Sequence, residues 1–209
     1  MPLQNRVDPY GEISANASRG MWMGNRGGCM HTEDKTLTNR RWATRAWIYC
    51  VLEFNNRHRT IMTPRRYTEL FFLDEVTALS AGHRPCFECQ RKRAGEFLTT
   101  YAATQSKDTR PYVDDFDRLA HATRLDGRLK RTRKKTIDQL PDGAAIVYNG
   151  EAMAVRAEHL LRWSFSGYTT RLPRPSSGVV EVLTPEPFID ILIAGFTPAF
   201  HPSADKLSA

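Results

Sequence analysis

Residues 73–97, LDEVTALSAGHRPCFECQRKRAGEF, constrain the fold of this 209-residue chain more than any other stretch. A helix-like run opens on Asp74, whose short acceptor side chain suits an N-cap. Glu75 follows in the first turn, where negative charge complements the helix dipole. The run ends at Ala81: Gly82 supplies the left-handed residue past a helix, and Pro85 blocks continuation. Cys86 and Cys89 then stand at the mouth of a second helix-like run. Packing alone does not require two thiols at that place.

A Cys-x-x-Cys in a reduced compartment indicates metal or redox chemistry. The N-terminal MPLQNRVDPYGEIS has no basic-then-apolar signal, so export is not expected and a cytoplasmic location is. Four cysteines in such a chain are not a disulfide framework. The redox version follows a strand and places small or apolar residues between the cysteines. Here the pair is Phe87-Glu88, preceded by a helix ending, which favours metal.

Tetrahedral zinc needs four ligands. Cys29 and His31 lie in GGCMH, in a glycine-rich turn, and Cys-x-His puts both side chains on one side of an extended segment. Cys50, in the strand-like WIYCVLEF, reads as a small buried hydrophobe whose loss should leave zinc unchanged. His83, three residues before Cys86, is a rival for His31 but reads better as a helix-end or surface residue. The expected ligands are therefore Cys29, His31, Cys86 and Cys89.

With those residues in view, FFLDEVTALSAGHRPCFEC resembles the strand-helix-CxxC segment of the zinc-binding domain of Ada, the bacterial DNA methylphosphotriester repair protein. The likeness is strong over residues 71–89 and looser over 20–89. It implies a small α+β zinc module with a DNA association. The family's first ligand pair is Cys-x-x-x-Cys, or a His/Cys pair in relatives, where this chain offers Cys29-Met30-His31. Because the chain departs where that protein keeps its methyl-accepting cysteine, methyl transfer does not carry over.

A second constellation shares the same cysteines. His31-Thr-Glu33 with Pro85-Cys86-x-x-Cys89 spells the H-x-E…P-C-x-x-C of zinc nucleobase deaminases, with Glu33 as proton shuttle. The 53 residues between His31 and Pro85 are long for that fold, and Glu33 lies in a polar loop.

The net charge of +7 favours polyanionic partners. RLKRTRKK, 128–135, concentrates Arg128, Lys130, Arg131, Arg133, Lys134 and Lys135, a poor helix face and a good phosphate binder. Its plain reading is a solvated loop. Asp114, Asp115 and Asp117 with His121 read as a capped, solvated helix start rather than a hydrolytic metal site. Trp163, Phe165 and Tyr168 read as core rather than base-stacking residues. No run of 18 apolar residues offers a membrane span.

Strands are expected at 20–26, 46–54, 67–73, 144–149, 151–156 and 179–184, with HRTIM, 58–62, as a hairpin partner of 46–54. Helices are expected at 87–104, 113–125, over AEHLLRW, 157–163, and at 187–194. AlaGly-x-x-Pro ends two helices, at Gly82 and Gly195, which we read as shared capping chemistry. The chain is thus expected to be α+β. A zinc-stabilised N-terminal module over 1–105 precedes a mixed α/β half over 106–209. Zinc is the expected cofactor and nucleic acid, DNA favoured, the expected partner. An enzyme acting on a nucleobase or nucleic acid with three-ligand zinc, and a protein-interaction module with structural zinc, are the alternatives.

Overall fold

The computed structural model describes residues 1–57, 60–106 and 108–207. Residues 58–59 of the expected hairpin partner HRTIM lie outside them. The fold is α+β, as expected. In chain order come β1 (Gln4–Val7), β2 (Ile13–Ala15), β3 (Trp22–Asn25), β4 (Ile48–Cys50), β5 (Leu70–Phe72), α1 (Glu75–Ser80), β6 (Arg84–Pro85) and α2 (Arg91–Thr104). There follow α3 (Val113–Arg124), β7 (Leu125–Asp126), β8 (Leu129–Lys130), β9 (Arg133–Thr136), β10 (Ala145–Tyr148), β11 (Glu151–Arg156), β12 (His159–Arg162), β13 (Thr170–Pro173), β14 (Val179–Val182) and α4 (Glu186–Ile193). No helix among the described residues is long and apolar enough to cross a membrane.

Two six-stranded sheets organise the chain. The first, β2-β1-β5-β3-β4-β6, is mixed, with β1 parallel to β5 and β4 parallel to β6. The second, β13-β12-β11-β10-β14-β9, is antiparallel throughout. α4 carries apolar residues nearly all round and is sandwiched accordingly. Its Phe188, Ile191 and Leu192 join the core of the first sheet, while Ile189 joins that of the second. Phe97 of α2 meets Phe116, Phe188 and Phe196 in one aromatic cluster. The expected division near residue 105 therefore crosses a continuous apolar core.

The α1 termini follow their sequence signals. Asp74 accepts hydrogen bonds from the Thr77 N–H (2.8 Å) and hydroxyl (2.7 Å). Gly82 takes φ +81°, with its N–H on Leu79 O (2.9 Å) and the His83 N–H on Ala78 O (2.9 Å). Gly195, at φ +102°, repeats this geometry after α4 through Leu192 O and Ile191 O. Both are the paired C-terminal hydrogen bonds of a glycine-capped helix.

Two expectations are corrected. AEHLLRW is not a helix: Ala157 turns at φ +49° and His159–Arg162 forms β12. Leu160 packs in the second-sheet core and Leu161 on its other face with α1, so the strand is buried on both sides. A strand covered on both faces shows a continuous apolar run in place of alternation. RLKRTRKK is likewise not a plain loop, since it forms β8 and β9, and β9 is the charged edge of the second sheet.

Candidate metal centre

The centre is assembled by strand register. Parallel pairing sets Ile48 opposite Arg84 and Tyr49 opposite Pro85. The next residues in each strand direction, Cys50 and Cys86, consequently emerge side by side, and the Cys86 N–H donates to Tyr49 O at 3.0 Å. Pro85, lacking an N–H, sits on the edge strand where a donor is dispensable. After Cys86 the chain turns into α2, with Gln90 N–H on Cys86 O (3.0 Å) and the Gln90 amide on Tyr49 O (3.0 Å). The turn brings Cys89 back over the strand ends.

The ligand atoms of Cys50, Cys86 and Cys89 lie within 4.8 Å of one another. Zinc–sulfur bonds of about 2.3 Å put tetrahedral sulfurs roughly 3.8 Å apart, so small side-chain adjustments close the three around one ion. Backbone amides already face them: the Glu88 and Cys89 N–H groups bond the Cys86 sulfur, and Val51 N–H bonds that of Cys89. Such amides stabilise thiolates and orient metal ligands.

Electrostatics agree with the donor set. The Cys86 thiol is held far below the ordinary range because Cys50, then Cys89, hydrogen-bond to its thiolate. Cys50 is pushed far up, through its bonds to Cys86 and Cys89 and through burial. Cys89 is also raised: the bond from Cys50 opposes the rise, and Cys86 with burial outweighs it. The thiolate on Cys86 is thus favoured at the expense of its two neighbours. A divalent cation would supply the charge that lets all three ionise.

The sulfurs line a cavity of about 490 Å³ that also presents Asn25, Glu53, Tyr67 and Glu69. Glu69 is buried and accepts from Met62 N–H at 2.8 Å. An Arg57–Glu88 ion pair (2.6 Å) stands at the rim.

The expected ligands divide. Cys86 and Cys89 are in the group. Cys29 and His31 are not, and their place is taken by Cys50, the residue expected to be a bystander. Both ring nitrogens of His31 are engaged elsewhere, Nδ1 with Thr68 Oγ1 (2.7 Å) and Nε2 with Thr63 O (3.2 Å). The Cys29 thiol donates to His31 O at 3.2 Å. Glu33 is exposed on a turn, so the His31–Glu33 deaminase constellation is not assembled around the cysteines. His83 is fully buried between Trp47 and Phe72, neither surface nor ligand. A sequence signal for Cys50 existed: it ends β4 just before turn material, as Cys86 directly follows β6.

Comparison of the chain with family models, curated proteins and solved structures gives no match. What the site can do therefore rests on its own geometry.

The other candidate residues are also placed. Asp117 grips buried Arg84 with both oxygens (2.8 and 2.7 Å), and His121 Nδ1 meets the Arg124 guanidinium at 2.8 Å. Trp163 donates to Thr77 Oγ1 (2.9 Å) and Tyr168 to Asp74 (2.7 Å), both joining α1 to the second sheet. Within the basic segment, Arg133 and Lys135 pair with Glu186 and Arg131 with Asp126 (3.8 Å). Lys134 is exposed on β9, while Arg128 and Lys130 bond the carbonyls of Asn39 and Ser80.

Proposed function

We propose that this chain is a zinc-binding protein that associates with nucleic acid, its N-terminal sheet carrying a metal centre of the Ada type. The observation that carries the reading is the convergence of the Cys50, Cys86 and Cys89 sulfurs at the ends of two parallel strands and the start of α2. Cys50 also suits the resemblance better than Cys29. It heads the span Cys50-Val-Leu-Glu-Phe54, the length of the family's Cys-x-x-x-Cys, with phenylalanine at the second place. The nucleic-acid association is supported by the +7 charge and the basic segment.

A second reading is favoured by the cavity. Three protein ligands among the described residues would leave a bound zinc one position for water or substrate, and the three sulfurs line the 490 Å³ space; open zinc sites activate water or substrate. In that reading Cys50, Cys86 and Cys89 would hold the ion, and Glu53 and Glu69 are cavity carboxylates available to handle a proton. The substrate class would be a nucleobase or nucleic acid.

Metal analysis of the purified chain should give about one zinc per protein. Replacing zinc by cobalt should give the visible spectrum of a thiolate-rich tetrahedral site. Added azide or thiocyanate should perturb that spectrum if the fourth position is open and leave it unchanged if it is closed. Folded protein with no bound metal sinks both readings. Salt-independent or absent binding to DNA removes the nucleic-acid half and leaves a protein-interaction module with structural zinc.

A further inference from the structure

Away from the cysteines, five cations converge where Trp42 and Trp47 lie. Arg26 and Arg124 are almost completely buried and stack over Trp47, with guanidinium carbons 3.9 and 3.8 Å from its ring centroid. Lys130 reaches the same cleft, and Arg41 and Arg128 close its outer side. Among the described residues none of these five forms an ion pair with a carboxylate. Glu12 is the one acid lining the cleft, and the attraction of Asp8 and Asp117 from outside it does not offset the burial of Arg26, Arg124 and Lys130. The buried cations are satisfied in part by carbonyls: Arg26 donates to Gly11 O (2.7 Å) and Arg124 to Gly82 O (2.9 Å) and Arg45 O (2.6 Å). Carbonyl dipoles do not cancel net charge, and Arg124 Nε has no partner at all. Buried charges ordinarily have counter-charges, so this arrangement calls for an anion.

The inner cleft, about 20 Å³, admits nothing larger than a water molecule. Immediately outside, a groove of about 310 Å³ is lined by Asn39, Arg40, Arg41, Trp42 and Arg128. Arg41, Trp42 and Arg128 belong to both spaces, so the field of the buried cations emerges in the groove. Trp42 is half-buried: Trp47 and His121 cover part of its ring at centroid distances of 6.1 and 5.7 Å, and the remainder borders the groove.

We propose that this groove binds the phosphate backbone of single-stranded nucleic acid. A phosphate would lie among Arg40, Arg41 and Arg128 with the buried cations behind it, and a base would stack on Trp42. Cationic grooves with an aromatic platform are the recurrent way of holding a single strand, whereas a duplex keeps its base faces covered. The inference rests on the nucleic-acid reading above and moves the contact from most of residues 128–135 to Arg128 and the 39–42 loop.

The test uses the zinc-loaded full chain and a fluorescent thymidine oligonucleotide of about 12 nucleotides, titrated at several salt concentrations. Arg41→Gln/Arg128→Gln should weaken binding at least about tenfold and flatten the salt slope by about two. Trp42→Ala should weaken it about tenfold. Lys206→Gln, an exposed cation outside both the groove and the basic segment, should bind as the parent. Unchanged zinc content and melting temperature establish that the variants are folded. If the parent binds neither the oligonucleotide nor a duplex of similar length, the nucleic-acid reading itself fails; if it binds the duplex alone, this inference fails and that reading stands. If the parent binds and both rim variants bind equally well, this inference alone fails. If inorganic phosphate or a nucleoside monophosphate binds as tightly as the oligonucleotide, the ligand is a small phosphate compound and the proposal is overturned.

Discussion

Cys50 shows how one residue changes meaning with its neighbours. Alone it is a buried thiol in an apolar strand; beside Cys86 and Cys89 it is one of three sulfurs placed where they could hold a metal. Cys50→Ser should release zinc as completely as Cys86→Ser or Cys89→Ser, whereas Cys29→Ser should retain it. Metal content after gel filtration measures this, and zinc retained by Cys50→Ser would refute the centre described here. Lys130 offers a second residue-level prediction. Its stem is partly exposed but its ammonium is buried, and burial first, then Arg26 and Arg124, lower its pKa from 10.5 to about 7 against a weaker pull from Asp8. Between pH 7 and 10.5 the unfolded chain therefore binds the extra proton, so this group makes stability rise with pH across that window. Below pH 7 the lysine is charged in both states and its cost is fully present. Lys130→Met should accordingly stabilise at pH 6 by on the order of 2–3 kcal/mol, with the gain fading towards pH 9. Urea midpoints for both proteins at pH 6, 7.5 and 9 provide the check; no gain at pH 6 refutes the net cost of burying this charge.

Among the elements, the two glycine-capped helices form a built-in comparison. Gly82 and Gly195 share a positive φ, but a Cβ on Gly82 would meet Arg124 Cδ at 2.7 Å, while none lies within 4 Å at Gly195. Gly195→Ala should cost about 1 kcal/mol from backbone conformation alone. Gly82→Ala should cost about 2–3 kcal/mol, because it must also displace a buried arginine. Chemical denaturation of the two variants separates the contributions, and equal costs would show that Arg124 yields freely. The N-cap of α1 carries more than its own helix, since Asp74 also accepts from Tyr168 OH (2.7 Å) and the His201 N–H (3.1 Å). A six-residue helix is stabilised here by what it connects, as short helices generally are.

At the scale of the molecule, α4 and the Arg84–Asp117 pair tie the halves together. Fragment 1–105 lacks Phe116, Phe188 and Phe196, which complete the cluster around Phe97. That fragment should show no cooperative melting even with zinc, whereas the full chain should melt in one transition. Calorimetry decides, and a cooperatively folding fragment would support the boundary at residue 105. Asp117→Ala leaves buried Arg84 unpaired two residues before Cys86, and should cost about 3–5 kcal/mol. It should also weaken zinc retention in a chelator competition, although Asp117 is no ligand.

What the sequence by itself determined is local: the Asp74 cap, the stops at Gly82 and Gly195, the Cys86–Cys89 spacing and the α+β class. The caps, stops and spacing depend on residues within one turn of each other, where spacing and side-chain chemistry act directly on the backbone. The α+β class is the sum of such local elements. The third thiol, the two-faced burial of β12, the inward turn of Lys130 and the contact of Arg128 with the Asn39 carbonyl were decided by tertiary structure. Cys50 stands 36 residues before Cys86, and only the parallel register of two short strands makes them neighbours. Leu160 and Leu161 likewise carry no mark of how many layers will cover them. A side chain's partners across a sheet are set by the pairing of distant segments, and no local pattern records that pairing.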